Sequence, residues 1–290
     1  MEIKFGPAGN SDSFAKAGFK STVDAPKWLH DMGLNAYEYQ CGRGVNIGEE
    51  TAKKIGEQAK IYNISLSLHT PYYINLSSAE PERLEKNVDY IIKSCIAATN
   101  MGATRLVVHT GGLGKQTRIK AMENSVINIK NILNAIEEHG FKQTICLETM
   151  GKKNVIGSAE EICELVALDD RLLPCIDFGH LNSRTGGKCN SYEDFNALFN
   201  LFEDKIGKER TKIFHAHFSK IEYSDKGEVR HLTFDDKIYG PEFEPLAKVL
   251  VERDYTPTII CESAGTQAED AKTMQTLYQE AKNLANKNAL

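Results

Sequence analysis

Thr144-Ile-Cys-Leu-Glu148 and Leu173-Pro-Cys-Ile-Asp177 are two short apolar runs, each closing on a carboxylate. Between them Ser158 and Glu161 form a capping-box pattern, and Ile162, Leu165 and Val166 share one helical face. Strand, polar loop, helix, strand is the repeating unit of a parallel sheet. Outward from this pair the unit recurs in both directions. Further strands are expected at Ile3–Phe5, Ala36–Gln40, Ile64–His69, Arg105–His109, Ile213–Phe218 and Thr258–Glu262, which makes eight, roughly 30 to 45 residues apart. Helical periodicity fills the intervals: Ala52, Ile55, Ala59 and Tyr62 lie on one face, as do Leu84, Val88, Ile91, Ile92 and Cys95. Segments near 119–137, 192–204, 242–252 and 267–286 complete the set. Gly33, Gly102 and Gly140 stand where helices must stop and a left-handed cap is wanted. Eight strands alternating with eight helices predict a single (β/α)8 TIM barrel over residues 1–290, with its active site at the C-terminal strand ends. The alternative, an open doubly wound sheet, lacks a Gly-x-Gly-x-x-Gly or Gly-Lys-Ser/Thr loop, so no nucleotide cofactor is expected.

Composition sets the bounds. The 290 residues carry 35 Lys+Arg against 40 Asp+Glu, a formal charge of −5, and this argues against a protein that grips nucleic acid by bulk charge. A local cation or a metal centre escapes that objection. Seven cysteines, an odd number without a Cys-x-x-Cys pair, read as buried reduced thiols. The opening Met1-Glu-Ile-Lys-Phe-Gly6 has no leader pattern, and no apolar run nears the roughly 18 residues of a membrane span. A cytoplasmic protein, here expected to be a monomer with no membrane partner, fits these features.

The strand ends carry the chemistry. Six consecutive strands, from the third, close on His69, His109, Glu148, Asp177 with His180, His217 and Glu262. A barrel gathers those ends at one mouth. Imidazole nitrogens and carboxylate oxygens are donors for divalent zinc or manganese. One strand-terminal histidine is ordinary, but six such residues in sequence need charged partners or metals. His215 points to the same face as His217 but lies deeper, which suits a supporting role. His30 and His139 fall in helical patterns and read as surface residues, whereas His231 sits in a polar loop after the seventh strand.

The ordered series His69, His109, Glu148, Asp177-x-x-His180, His217, His231, Glu262 resembles endonuclease IV, the zinc-dependent apurinic/apyrimidinic endonucleases. The resemblance spans nearly the whole chain. It is densest in His69-Thr-Pro-Tyr-Tyr-Ile-Asn-Leu76, Cys175-Ile-Asp-Phe-Gly-His180 and Cys261-Glu262-Ser263. It implies a TIM barrel with two or three Zn2+ ions, Mn2+ being an alternative. His69 and His109 would hold one ion with Glu148, which bridges to a second held by Asp177, His217 and Glu262; His180 and His231 would hold a third. It further implies cleavage of DNA 5′ of abasic sites through a metal-bridging hydroxide, with Glu148 and Glu262 as catalytic residues and Tyr72 and Tyr73 entering the lesion. Arg43 is the phosphate-contact candidate in the loop after the second strand.

The chain departs from the family at three points. Val229 stands where an aspartate ligand of the third metal is usual, with Glu228, Asp235 and Asp236 as nearby substitutes. The loop Gln40-Cys-Gly-Arg-Gly-Val45 looks shorter than the family's DNA-contacting loop, and the chain is acidic. Three divalent ions would turn the charge of −5 into about +1 at one mouth. The rival expectation is a sugar isomerase or epimerase of the xylose-isomerase-like group, with one divalent ion on Glu148, Asp177, His217 and Glu262. Such a mononuclear site leaves His69, His109, His180 and His231 without a task.

Overall fold

The computed structural model describes residues 2–288. In chain order the elements are β1 (Lys4–Pro7), α1 (Asp12–Lys16), α2 (Ala25–Asp31), β2 (Ala36–Gln40), α3 (Glu49–Ile61), β3 (Ser65–His69), α4 (Pro81–Met101), β4 (Arg105–Val108), α5 (Arg118–Glu138), β5 (Thr144–Glu148), α6 (Ala159–Val166) and β6 (Leu172–Asp177). They continue with α7 (Phe178–Arg184), α8 (Tyr192–Ile206), α9 (Lys208–Lys212), β7 (His215–Phe218), β8 (Ile221–Ser224), β9 (Gly227–His231), α10 (Phe243–Glu252), β10 (Thr258–Cys261) and α11 (Gln267–Asn288). Eight strands form one parallel sheet in the order β1-β10-β7-β6-β5-β4-β3-β2, and β8 and β9 form a separate antiparallel hairpin. The sheet curls until its first and last strands meet, giving a (β/α)8 TIM barrel.

The seam between β1 and β2 is closed by backbone contacts. Ala8 bridges to Glu38, Gly9 N–H donates to the Glu38 carbonyl (2.9 Å), and Asn35 N–H donates to the Phe5 carbonyl (3.1 Å). Gly6 makes the approach possible, because a Cβ there would collide with the carbonyl oxygen of Ala36. The expected helix stops hold as well: Gly33, Gly102 and Gly140 have φ of +77°, +73° and +72°, and Ser158 with Glu161 closes a full capping box.

Strand parity sorts the core. Phe214, just before β7, and Ala216 and Phe218 within it point outward, where Phe178 packs against both phenylalanine rings and Phe199 against Phe214. Each such buried aromatic contributes about 1.5–3 kcal/mol through desolvation. The opposite parity faces the barrel interior, where Val107, Cys146, Leu173 and Cys175 pack together. Arg105 crosses the floor and donates to the carbonyls of Ile213 (2.8 Å) and Phe214 (3.2 Å). Above this apolar layer the interior parity turns polar, and it is this parity that continues to the strand ends.

Some boundaries differ from expectation. The first strand runs Lys4–Pro7 rather than Ile3–Phe5, because pairing to β10 sets its register. The seventh begins at His215, since Ile213 caps the short helix α9. The stretch containing His231 is not a loop but strand β9 of the hairpin. His30 and His139 are exposed, at the last turn of α2 and the end of α5, and all seven cysteines are free and buried. Among the described residues, no helix is long and apolar enough to cross a membrane.

Candidate metal centre

Of four sets of metal-type donors among the described residues, three neighbour one another at the barrel mouth: His69, His109 and Glu148; Glu148, Asp177, His217 and Glu262; and His180, Glu228 and His231; the fourth, Cys175, His215 and His217, lies along β6 and β7. Within each set the donor atoms lie within 4.8 Å of one another. Glu148 belongs to two sets. Its Oε2 faces His69 Nε2 (3.3 Å) and His109 Nε2 (3.0 Å), while its Oε1 faces His217 Nδ1 (3.3 Å) and His180 Nδ1 (3.2 Å). His217 Nδ1 also looks toward Glu262 Oε1 at 3.5 Å and Asp177 Oδ2 at 4.0 Å.

The hydrogen bonds around the rings fix which nitrogen carries a lone pair. His69 Nδ1 donates to the Thr70 carbonyl (2.7 Å), so its Nε2 turns to Glu148. His180 Nδ1 donates to the Thr149 carbonyl (2.9 Å), leaving Nε2 beside Glu228 Oε2 at 3.4 Å. A lone pair facing a carboxylate at such range is repulsive unless a proton or a cation lies between them. Ligands of one tetrahedral zinc, each about 2.0–2.1 Å from the ion, are roughly 3.3 Å apart. Buried Asp177 Oδ2 has no hydrogen-bond partner and is aimed into the shared set. Donor type, spacing and the orphaned oxygen all fit divalent cations.

Without cations, protons take their place. Burial resists ionisation of Glu148, yet the imidazoles of His109 and His217 hold its carboxyl well below the usual range. Burial pushes Asp177 up, and the neighbouring Glu262 and Glu148 add to the rise. For His69 burial acts downward, but its hydrogen bond to Glu148 and the surrounding carboxylates lift it to about 9. Also against their burial, His180 is raised well above the ordinary imidazole value by Asp177, Glu148 and Glu228, and His217 by Cys175, Glu262, Glu38 and Glu148.

Local chain geometry brings each donor in. Asp177 caps α7 by accepting from the His180 N–H (2.7 Å), which fixes the two residues on one turn. The third set depends on a bulge. Across the hairpin His231 opposes Ile221, Arg230 opposes Glu222 and Glu228 opposes Tyr223, so Val229 has no partner. This extra residue shifts the strand phase, and Glu228 and His231 share the face toward His180. Val229 points away and is 51% exposed. Asp235 and Asp236 stay outside the donor sets, with Asp236 accepting from Ile238 N–H (2.9 Å) and Tyr239 N–H (2.7 Å) instead.

A cavity of about 520 Å³ opens above the donors, with His69, His109, Glu148, His180, His231 and Glu262 in its floor. Tyr72 (60% exposed) and Tyr73 form part of the rim, and Tyr73 packs edge-on against Tyr90 with centroids 4.8 Å apart. Arg43 does not line this cavity; it is exposed on the loop after β2, whose Gly42 carbonyl accepts from Tyr72 N–H. Arg83 and Lys152 line it instead. No sequence pattern marks these two cations, because the loop after β3 places Arg83, in the first turn of α4, and the loop after β5 carries Lys152. The second of these loops is pinned by Arg184, which donates to the carbonyls of Met150 (3.2 Å) and Lys152 (2.7 Å). A hollow of about 690 Å³ lies beside β1 and α11, but it contains none of the metal-type donor sets found among the described residues.

Glu38 was also missed. It is fully buried in β2 beneath the donor sets, and burial is outweighed by His217 and His215, which hold its carboxyl well below the usual range. The available signal was a carboxylate at interior parity with Ala36 in an otherwise apolar strand.

The model of the xylose isomerase-like TIM barrel family matches residues 26–284. The chain belongs to this family. Among relatives, an uncharacterized protein of Methanocaldococcus jannaschii is 34% identical over 276 residues, covering 95% of this chain and 97% of the relative. A probable endonuclease 4 of Staphylococcus epidermidis is 31% identical over 219 residues, covering 70% and 71% of the two chains. Two solved structures share the fold at low identity. A D-tagatose 3-epimerase-like protein has a TM-score of 0.74 at 20% identity, covering 99% of this chain and 100% of that one. Endonuclease IV of Thermus thermophilus has a TM-score of 0.68 at 19% identity, covering 96% and 98%. The relatives thus include a probable endonuclease 4, while an epimerase-like protein shares the fold.

Proposed function

We propose that this protein is a zinc-dependent phosphodiester hydrolase that cleaves DNA 5′ of abasic sites. The observation that carries the reading is Glu148, whose two oxygens each serve a different donor set. A carboxylate so placed suits a centre of two or three ions, whereas a mononuclear centre would use only one of its sides and leave His69 and His109 idle. The sequence likeness to a probable endonuclease 4 supports the same branch. In this reading His69 and His109 hold one ion with Glu148; Asp177, His217 and Glu262 hold the second; His180, Glu228 and His231 hold the third. Bound ions there would lower the pKa of water and neutralise charge on the phosphate. Glu148 and Glu262 reach the floor of the cavity, where as catalytic residues they would hold the ions against the reacting phosphate. Tyr72 and Tyr73 offer aromatic surface at the rim to fill the gap left by a missing base. Arg83 and Lys152 supply local positive charge for the flanking phosphates.

The second reading is a ketose epimerase or isomerase, favoured by the set Glu148, Asp177, His217 and Glu262 taken alone. One experiment separates them. The zinc-loaded protein is assayed on a duplex with a single abasic site and on a ketose, with metal counted on the same sample. Strand cleavage with two or three ions per chain is expected. Ketose interconversion with one ion and an intact duplex would overturn the nuclease reading.

A further inference from the structure

Glu38 lies below the donor sets and reaches across the barrel interior from β2 to β7. Its two oxygens receive four donors. Ser67 Oγ (2.8 Å) and His215 Nε2 (2.9 Å) donate to Oε2; His217 Nε2 (2.9 Å) and Gln40 Nε2 (3.1 Å) donate to Oε1. A carboxylate offers about four lone-pair sites, so each is used and none is left for a proton. Because a carboxylate only accepts, both imidazoles must give their Nε2 protons to it. For His217 the consequence falls on the other side of the ring. Nδ1 is left to face Glu148, Glu262 and the partnerless Asp177 Oδ2.

We propose that Glu38 is a positioning residue that fixes His217 in the tautomer with a free Nδ1, and so prepares the Glu148–Asp177–His217–Glu262 set for a divalent cation. The inference rests on the metal-centre reading above. Without Glu38 the ring can place its proton on Nδ1 and hydrogen-bond to Glu148, which closes the set to metal. The arrangement is a carboxylate–histidine–metal relay, in which the outer partner sets ring orientation and basicity. His215 supports it from below: its Nε2 holds the second oxygen of Glu38, and its own Nδ1 is buried with no partner. Ser67 Oγ and Gln40 Nε2 complete the clamp, so Glu38 cannot rotate away without losing several hydrogen bonds.

The direct test is the 15N spectrum of the histidine rings in the zinc-loaded wild-type protein. Metal on Nδ1 of His217 and a proton on Nε2 are expected; metal on Nε2 would overturn the proposal. The second test is Glu38→Leu, which keeps bulk and removes both acceptors, titrated with zinc against a chromophoric chelator. One ion is expected to bind about 10- to 100-fold more weakly while the others keep wild-type affinity. Unchanged affinity for every ion would overturn the role of Glu38 and leave the metal centre standing. If the wild-type protein takes up no divalent ion, the metal centre itself falls. Should Glu38→Leu fail to fold, the ring spectrum of the wild type still decides.

Discussion

Glu228 and His231 face the same side of β9 although they stand three positions apart, because the bulge at Val229 resets the alternation between them. The donor that joins His180 and His231 is therefore Glu228, and not the residue at position 229. Glu228→Ala is expected to reduce bound zinc by about one ion per chain, and Val229→Asp to leave the count unchanged, since that side chain points to solvent. Elemental analysis of the two variants checks this. A gain of metal in Val229→Asp would show that the hairpin phase has been misassigned.

Glu148→Gln keeps shape but removes the charge that two donor sets share. Activity on an abasic-site duplex should fall by about 100-fold or more, a loss already typical of residues that only support a ligand. The near-ultraviolet circular dichroism should stay that of the wild type. Turnover within a few-fold of wild type would remove Glu148 from its bridging place.

Metal binding should release protons. The His69 imidazole is lifted from 6.5 to about 9, so at neutral pH its Nε2 carries a proton that a cation must displace. Apparent zinc affinity is expected to rise with pH between 6.5 and about 9. The metal-free protein follows the opposite trend. The stability that His69 contributes is complete below 6.5 and is lost as pH rises through about 9. Calorimetric zinc titrations in buffers of different ionisation enthalpy measure the released protons, and a value of zero at pH 7 would contradict the assignment.

Gly6→Ala places a methyl group against the Ala36 carbonyl at the seam. A loss of about 3 kcal/mol or more is expected, at the upper end for overpacking, because backbone rather than a mobile side chain is struck. Urea unfolding of the variant gives the number. A midpoint equal to wild type would mean that β1 and β2 can separate at little cost.

The barrel was legible because its signal repeats. Cys146 and Glu148, like Cys175 and Asp177, show an apolar residue and then a donor at the same parity, and six strands carry a donor at that place. Glu38 is not legible from that pattern, since it lies mid-strand and its two histidine partners are 177 and 179 residues away. Nor is the hairpin phase. Periodicity alone assigns Glu228 and His231 to opposite faces, and only pairing with β8 reveals the extra residue. Arg43 is the cation of the loop after β2, whereas the cavity is reached by Arg83, in the first turn of α4, and by Lys152 of the loop after β5.

Glu38 serves the seam with its main chain and His217 with its side chain: its carbonyl accepts from Gly9, and its carboxylate from the ring. Barrel closure and ligand preparation are thus tied through one residue. A chain whose ends have not met lacks the geometry that keeps His217 receptive, so retained metal becomes a gauge of completed assembly. If the centre holds zinc as proposed, damage at the seam should announce itself as released metal.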